Sequence, residues 1–252
     1  MLGLNMKRIV IGLVAFASIL GVGVASAKTP PPPPQPALLV LGDSLTWGTN
    51  YRGFGNVTPK LKAVGYFNTL VVDGVFARNI SGPAGTARNG VKTLKKLSAS
   101  GLRANAAIIA LGSNDLQHSA DPAFYEQRIR ELLDLVGPIP VVWFNVWRTD
   151  AVYYPKRSAI FNATLTEVAA DYPNVTIADW ASIVVANPKL MAFDGLHLQP
   201  VGYRLRAQMY VEAAQMLIAT LNPPPTTTAT TTTVPQTTTT VVESTTSTSV
   251  AG

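Results

Sequence analysis

Short apolar runs rich in β-branched residues recur along the chain, and amphipathic segments separate them. Near-continuous apolar runs are typical of strands in a parallel sheet that is buried on both faces. Five such runs are predicted as strands: ALLVLG from Ala37, FNTLVVD from Phe67, NAAIIALG from Asn105, IPVVWFNVW from Ile139 and NVTIAD from Asn174.

Helical periodicity fills the segments between these strands. The clearest helix is predicted after Asp121, which is placed as its N-cap, with Pro122 at the first helical position and Gly137 at the end. Its apolar face is predicted to contain Phe124, Ile129, Leu132, Leu133 and Val136. Further helices are predicted at residues 86–101, 157–172 and 200–221.

The alternation of strand and helix predicts an α/β fold. Five parallel strands are expected to form one sheet between two helical layers, joined by right-handed crossovers. In such a sheet, ligands bind outside the carboxyl ends of the strands. The first three strands run into the loops GDSLTWG, DGVFARN and GSND. These loops should therefore meet at one end of the sheet, where we expect a functional site.

The N-terminal segment has the pattern of an export signal. Lys7 and Arg8 precede an apolar run that ends in the small residues ASA at positions 25–27. An uncleaved membrane anchor is the alternative, but the run is shorter than the roughly 20 residues of a spanning helix. We therefore predict a signal peptide at residues 1–27, no stable membrane insertion after its cleavage, and a secreted or cell-surface protein.

Two further segments are too biased in composition to build a core. Residues 28–36 are predicted to be a proline-rich spacer, and residues 223–252 a Thr/Pro-rich tail. The tail fits a wall-spanning spacer, a site of O-glycosylation or a disordered segment. Residues 37–222 remain as one folded domain. The chain contains no cysteine, so this domain must be stabilised by its core without disulfides.

The formal net charge of +6 is modest and its basic residues are scattered. Lys92, Lys95 and Lys96 are grouped, with a spacing that fits one solvated helix face. A cationic surface favours an acidic cell-wall polymer as a partner, but ordinary solubility is the better supported explanation of this charge. No nucleic-acid partner is expected, because no binding motif is present. No metal site or cofactor is expected either, and His118 is interpreted as a surface loop residue.

Ser44 follows the first predicted strand, in GDSLTWG. It is either a catalytic nucleophile or a hydroxyl in a strand-to-helix turn, because Asp and Ser commonly cap helices. A nucleophilic serine needs a base, usually His, which is oriented by a carboxylate. Asp194 precedes His197 by three residues, which lets its carboxylate reach the imidazole ring. The same pair also fits a helix cap beside a surface polar residue.

Asn114 follows the third predicted strand, in LGSND, where Gly112 allows a sharp turn. An Asn side chain is one of the groups that donate hydrogen bonds to an oxyanion during attack on an ester. An Asx-turn, in which the side chain bonds its own backbone, is the alternative.

Three motifs in this order resemble the SGNH (GDSL) hydrolases: GDSLTWG, GSND and DGLHLQPVGY, within a match that spans residues 38–210. The resemblance implies a three-layer α/β/α sandwich and an esterase that works through an acyl-enzyme. It also implies that Ser44 is the nucleophile, that His197 is the general base and that Asp194 orients His197. Asn114 and the backbone N–H of Ser44 become donors to the oxyanion.

A further oxyanion donor is expected from the block VDGVFARNISG, which departs from the family pattern. DGVFAR resembles the equivalent block of SGNH domains attached to membrane acyltransferases that O-acetylate glycans, with Ala77 where glycine is usual. Ala77 is the predicted donor if its backbone angles suit a residue with a Cβ, and Gly74 is the alternative.

Several residues are candidates for contact with the substrate. Asp43, Arg78, Trp147 and Arg148 are predicted to line the site, although Asp43 also fits a turn residue of the nucleophile loop. Five aromatic residues could form a wall that stacks on a sugar or binds an acyl chain: Trp47, Trp143, Trp147, Tyr153 and Tyr154. Trp143 is instead expected in the core, because it falls within a strand.

The predicted function is hydrolysis of a short-chain acyl ester on a carbohydrate or cell-wall polymer. Two alternatives use the same fold. The first is acyl transfer, in which a sugar hydroxyl replaces water and the same residues act. The second is glycan binding without catalysis.

Overall fold

The computed structural model describes residues 36–223. The predicted signal peptide, the spacer up to residue 35 and the tail from residue 224 lie outside the described residues. Within residues 36–223, no helix is both long enough and apolar enough to cross a membrane.

One parallel sheet forms the centre of the fold. Its strands are β1 (Ala37–Gly42), β2 (Thr69–Gly74), β3 (Ala106–Ala110), β4 (Val141–Phe144) and β5 (Val175–Ala178). They lie in the order β2-β1-β3-β4-β5. Four strands fall within the apolar runs and β2 extends one residue beyond its run, to Gly74, so the predicted parallel five-stranded sheet is confirmed.

Seven α-helices flank this sheet in the described part of the chain. They are α1 (Ser44–Asn50), α2 (Val57–Ala63), α3 (Gly90–Ala99), α4 (Pro122–Val136), α5 (Tyr154–Ala169), α6 (Trp180–Ala186) and α7 (Pro200–Leu221). The predictions for α4 and α7 are confirmed in both position and ends. α5 begins and ends three residues earlier than predicted.

The start of α3 differs from its prediction. Residues Thr86–Arg88 form a short 3-10 turn, and the α-helix begins only at Gly90. Asn89 is the N-cap, and its side-chain oxygen accepts a hydrogen bond from the backbone N–H of Lys92 at 2.8 Å. The exposed face of α3 carries Lys92 together with Lys95 and Lys96, as their spacing predicted.

Alternate side chains of each strand enter two separate cores. In β1, Leu38 and Val40 pack in the core that contains α1, α2, α6 and α7. Leu39 and Leu41 pack in the second core, with α3, α4 and α5. Both faces of the sheet are therefore covered, and the predicted three-layer α/β/α sandwich is confirmed.

The buried face of α4 differs in part from the prediction, because two of the five residues expected there, Phe124 and Val136, are only half-buried. Ile129, Leu132 and Leu133 are buried as expected. Tyr125 is fully buried, whereas Phe124 is half-buried. Tyr125 takes the core position because it lies four residues before Ile129, on the same face of the helix.

Candidate active site

Ser44 lies where β1 passes into α1. It is the first residue of the helix, and Asp43 before it is the N-cap, whose side chain accepts a hydrogen bond from Leu45 N at 2.9 Å. Asp43 is 1% exposed and therefore lies beneath the surface. Its interpretation as a turn residue agrees with this position, and its prediction as a substrate-lining residue does not.

A chain of hydrogen bonds joins Ser44, His197 and Asp194. His197 Nε2 lies 3.0 Å from Ser44 Oγ, and His197 Nδ1 lies 2.7 Å from Asp194 Oδ2. When Nδ1 donates its proton to Asp194, Nε2 is left as an acceptor for the hydroxyl proton of Ser44. This arrangement can remove a proton from a serine while it attacks an ester.

A narrow loop at residues 191–198 holds the Asp and the His. The backbone N–H of Ala192 donates to the carbonyl oxygen of His197 at 2.8 Å, which closes the loop. Asp194 Oδ1 accepts hydrogen bonds from the backbone N–H groups of Leu196 at 3.1 Å and His197 at 2.9 Å. One carboxylate oxygen thus fixes the turn, and the other faces the imidazole ring.

These hydrogen bonds set the charge of Asp194. Partial burial alone would raise the pKa of this carboxyl group, because burial disfavours the charged form. Hydrogen bonds from the His197 ring and from the N–H groups of Leu196 and His197 outweigh burial and lower the pKa below its usual value. Asp194 is therefore ionised at neutral pH, as an orienting group for His197 must be.

Gly195 fastens this loop to the connection between β4 and α5. Its φ of +66° is in the left-handed region. Its carbonyl oxygen accepts a hydrogen bond from Thr149 N at 2.8 Å. A Cβ at this position would lie 2.7 Å from Asp150 N, too close for any side chain. Both the backbone angle and the packing therefore require glycine between Asp194 and His197.

Asn114 lies beside the block that follows β2. Its side chain is 5% exposed, and Nδ2 donates one hydrogen bond to the carbonyl oxygen of Arg78 at 3.0 Å. The second amide proton remains for another acceptor. Gly112, with φ +128°, makes the turn that was predicted before Asn114. The space there is also restricted, because a Cβ would lie 2.3 Å from the Phe161 ring.

Two backbone N–H groups at this end of the sheet are also available as donors. Within residues 36–223, neither Ser44 nor Ala77 donates its N–H to another backbone group. Ser44, Ala77 and Asn114 follow β1, β2 and β3, which are neighbours in the sheet. The three candidate oxyanion donors thus come from adjacent strand ends.

Ala77 has the backbone conformation of a glycine. Its φ is +53°, in the left-handed region that residues with a Cβ rarely adopt. The cost of this conformation is about 1–2 kcal/mol for a residue other than glycine. The block thus retains the conformation that glycine usually provides, although alanine occupies the position.

We expect Ala77→Gly to be at least as stable as the natural chain, because glycine relieves the strain at a positive φ. Ala77→Val should lower the free energy of unfolding by about 1 kcal/mol or more, because a β-branched side chain tolerates this region least. Urea unfolding measures both. Ala120→Val, in an exposed loop without a positive φ, is the matched control. Equal effects of the two valine variants would show that Ala77 is not strained.

Gly74, the alternative donor, has a packing role. It ends β2 directly against α1, and a Cβ there would lie 2.4 Å from Trp47 N. Glycine is needed because the strand and the helix backbone approach each other so closely.

Arg78 does not line an open site, contrary to prediction. It is 1% exposed. Its guanidinium group donates to the carbonyl oxygens of Gly42, Asp73 and Ala87 and pairs with the Asp73 carboxylate at 2.8 Å. Arg78 therefore ties the ends of β1 and β2 to the segment before α3, and so holds the block that contains Ala77.

Arg148 is likewise buried, at 3% exposure, and does not line an open site as predicted. It makes two hydrogen bonds to the carboxylate of Asp150, at 2.9 and 2.5 Å, and a third to the carbonyl oxygen of Ser113 at 2.8 Å. Its guanidinium carbon lies 3.9 Å from the centre of the Tyr154 ring. Arg148 thus connects the loop that carries Asn114 to the loop after β4.

Trp147 is half-buried and lies in a cleft of about 610 Å³ that also reaches Asp194. Its contact with substrate stays a prediction. Phe193, which the sequence analysis missed, is fully exposed beside the same cleft. The sequence could have indicated that Phe193 lies near the site, because Phe193 directly precedes Asp194. Trp143, by contrast, is buried in the core, where its Nε1 donates to the carbonyl oxygen of Leu111.

Arg206 of α7 is a second residue that the sequence analysis missed. It is 2% exposed, and its guanidinium carbon lies 5.0, 4.8 and 5.6 Å from the ring centres of Phe144, Trp180 and Tyr210. Burial raises the pKa of Asp43, and the positive charge of Arg206 opposes this shift. Arg206 therefore supplies positive charge beneath the loop that carries Ser44.

His118 is exposed, as expected for a loop residue. Among residues 36–223, no three His, Asp or Glu side chains lie together in a way that would hold a metal ion.

Comparison with known proteins adds a family and a set of similar folds. A model of the GDSL-like lipase/acylhydrolase family matches residues 40–205. No curated protein sequence matches the chain.

Three solved structures have a similar fold. A carbohydrate acetylesterase from Sinorhizobium meliloti is 20% identical, with a TM-score of 0.56, and the match covers 72% of this chain and 99% of that one. An aryl esterase from M. smegmatis is 19% identical, with a TM-score of 0.55 and the same two coverages, 72% and 99%. A lipase/acylhydrolase from Enterococcus faecalis is 20% identical, with a TM-score of 0.57 and coverages of 70% and 94%.

Proposed function

The chain belongs to the GDSL-like lipase/acylhydrolase family and is a serine ester hydrolase, and on this basis we propose that it removes a short acyl group from a carbohydrate or cell-wall polymer. Ser44 is the nucleophile, His197 the general base and Asp194 the residue that orients His197. The observation that carries these roles is the hydrogen-bonded chain from Ser44 Oγ through His197 to Asp194.

Acylation begins when Ser44 Oγ attacks the ester carbonyl carbon and its proton passes to His197 Nε2. The carbonyl oxygen becomes an oxyanion. The N–H groups of Ser44 and Ala77 and the free amide proton of Asn114 donate hydrogen bonds to it. His197 then returns the proton to the alcohol oxygen as the carbon–oxygen bond of the ester breaks. The alcohol leaves, and the acyl group stays on Ser44.

Deacylation repeats these steps with water. His197 Nε2 takes a proton from a water molecule while the oxygen of that water attacks the acyl carbon. The same three donors stabilise the second oxyanion. His197 then gives this proton to Ser44 Oγ as the bond between Oγ and the acyl carbon breaks, and the free acid leaves. Asp194 stays ionised in both halves of the cycle because its hydrogen bonds lower its pKa.

The carbohydrate part of the proposal has two supports. One solved structure with this fold is that of a carbohydrate acetylesterase from Sinorhizobium meliloti. In addition, the cleft of about 610 Å³ beside Asp194 is partly lined by Trp147 and Phe193, and aromatic side chains are suited to contact the faces of sugar rings. Export and surface localisation are proposed from the N-terminal sequence pattern.

Two measurements on the full chain test this function. A fluorophosphonate should label the protein at Ser44, as located by mass spectrometry of the digest. Acetate should be released from ethyl acetate and from acetylated xylo-oligosaccharides, and ethyl octanoate should be a poorer substrate. Absence of the label would contradict the role of Ser44. Hydrolysis of ethyl acetate without release of acetate from the oligosaccharide would contradict the carbohydrate substrate alone.

A further inference from the structure

A cluster of three exposed aromatic side chains, Trp47, Tyr51 and Phe76, lies beside the candidate active site. Their exposed fractions are 41%, 49% and 49%. The rings nevertheless pack against one another: Trp47 and Tyr51 are stacked with centres 5.4 Å apart and an angle of 15° between the rings, and Phe76 lies 4.7 Å from Trp47. These residues, here called the aromatic platform, form a continuous apolar surface.

The platform is built on the same elements as the site. Trp47 is three residues after Ser44 on α1, so the two side chains are neighbours on the surface of the helix. Phe76 immediately precedes Ala77. The close packing of Gly74 against Trp47 N fixes the end of β2 to α1. The platform therefore has a fixed position next to two of the proposed oxyanion donors.

The platform and the cleft lie towards opposite edges of the sheet. β2, which precedes Phe76, is an edge strand, and the platform extends from it over α1. The loop of His197 contacts the connection after β4, through Thr149 and Gly195, and the cleft with Trp147 lies there. Because β1, which leads to Ser44, lies between β2 and β4 in the sheet, the platform and the cleft are on opposite sides of the site.

We infer that the aromatic platform is a subsite for a sugar ring of the substrate, a conclusion that rests on the proposed carbohydrate esterase function. An open platform covers only one face of its ligand and leaves the other face in water. An acyl chain would bury only one of its sides there and would gain less than in a closed pocket, because its stabilisation is proportional to the apolar area removed from water. A sugar ring presents C–H groups on its face and hydroxyls at its edge. Trp47 Nε1 and the Tyr51 hydroxyl are suitable donors to such hydroxyls.

The test is Trp47→Ala in the full chain, with two substrates that carry the same acyl group. The KM for acetylated xylo-oligosaccharides should rise about tenfold, which is the expected effect of losing one aromatic contact. The kcat/KM for ethyl acetate, which has no ring, should stay within about twofold of the natural value. Trp47→Phe keeps an aromatic face and should recover most of the lost affinity.

Met216→Ala is the control, because Met216 is 45% exposed and lies towards the C-terminal end of α7, on an element that carries none of the platform residues. It should change neither substrate's kinetics. An equal loss of activity on ethyl acetate and on the oligosaccharide in Trp47→Ala would overturn the inference, since it would indicate damage to the site itself. Unchanged oligosaccharide kinetics would also overturn it. So would a loss confined to ethyl octanoate, which would assign the platform to the acyl chain.

A binding measurement separates this inference from the proposed function. Ser44→Ala protein is titrated with unacetylated xylo-oligosaccharide, and tryptophan fluorescence is recorded. A change that disappears in Ser44→Ala/Trp47→Ala supports the subsite even if no acetate is released. Absence of any change overturns the subsite even if the natural chain hydrolyses the acetylated substrate.

Discussion

Ser44→Ala is expected to lower kcat for ester hydrolysis by up to about 10⁶-fold, to the level that binding and the oxyanion donors alone provide. The reason is that the reaction loses the atom that carries the acyl group, and His197 is left without a proton to remove. Initial rates on ethyl acetate in a pH-stat, at several substrate concentrations, measure the effect. The variant should also lose its reaction with a fluorophosphonate.

The fold should survive this substitution. The N-cap of α1 is Asp43, so the helix keeps its cap. The hydroxyl of Ser44 makes a side-chain hydrogen bond to His197 at the partly buried end of the sheet. Thermal unfolding should therefore change little, and Ser98→Ala, an exposed serine on α3, should retain full activity.

A double variant tests whether Ser44 and His197 act as one catalytic unit. His197→Ala alone should be nearly as inactive as Ser44→Ala, and the two together should be no worse than either one, because residues that act as a unit are not additive. Additive losses would show that the two residues act independently. Residual activity above about 1% in Ser44→Ala, at unchanged stability, would exclude it as the nucleophile.

The sheet was predictable from the sequence because its strands are buried on both faces. Burial on two sides requires apolar residues at every position, and the run from Leu38 to Leu41 is an example. The longest helix, α7, was predictable for a different reason, since it is 22 residues long and has Pro200 as its first residue.

The three helices that were not predicted have seven residues each, which is too short for a reliable period. α1 shows what stabilises such a helix. Asp43 caps it, and Thr46 is hydrogen-bonded to Tyr210 across 164 positions of sequence at 2.8 Å. Contacts of this range have no local signal in the sequence.

The candidate site shows the same division between local and distant contacts. The turn that joins Asp194 to His197 follows from a spacing of three residues, whereas the contact of His197 with Ser44 spans 153 positions. Arg78 and Arg148 were placed in the correct loops, but their side chains turn inward. Their partners, such as the carbonyl oxygen of Gly42 for Arg78, belong to distant segments and become neighbours only in the folded chain.

Asp194→Asn is expected to lower kcat by about 10³–10⁴-fold with little change in KM. The structure determines which way the new amide would face. Oδ1 accepts the N–H groups of Leu196 and His197, so the amide oxygen of Asn would take that position. The NH₂ group then faces His197 Nδ1 and donates to it. The proton of the imidazole ring moves to Nε2, which can no longer accept the proton of Ser44.

Measurement of kcat and KM on ethyl acetate separates this effect from damage to the loop. Asp194→Ala removes the hydrogen bonds to the turn as well, so it should lose stability in addition to activity. Asp194→Asn should keep the turn and unfold near the temperature of the natural chain. Asp134→Asn, an exposed carboxylate that accepts a hydrogen bond from Tyr172, is the matched control and should remain fully active. A loss below about tenfold in Asp194→Asn would mean that the carboxylate does not set the tautomer of His197, because a wrong tautomer cannot act as the base.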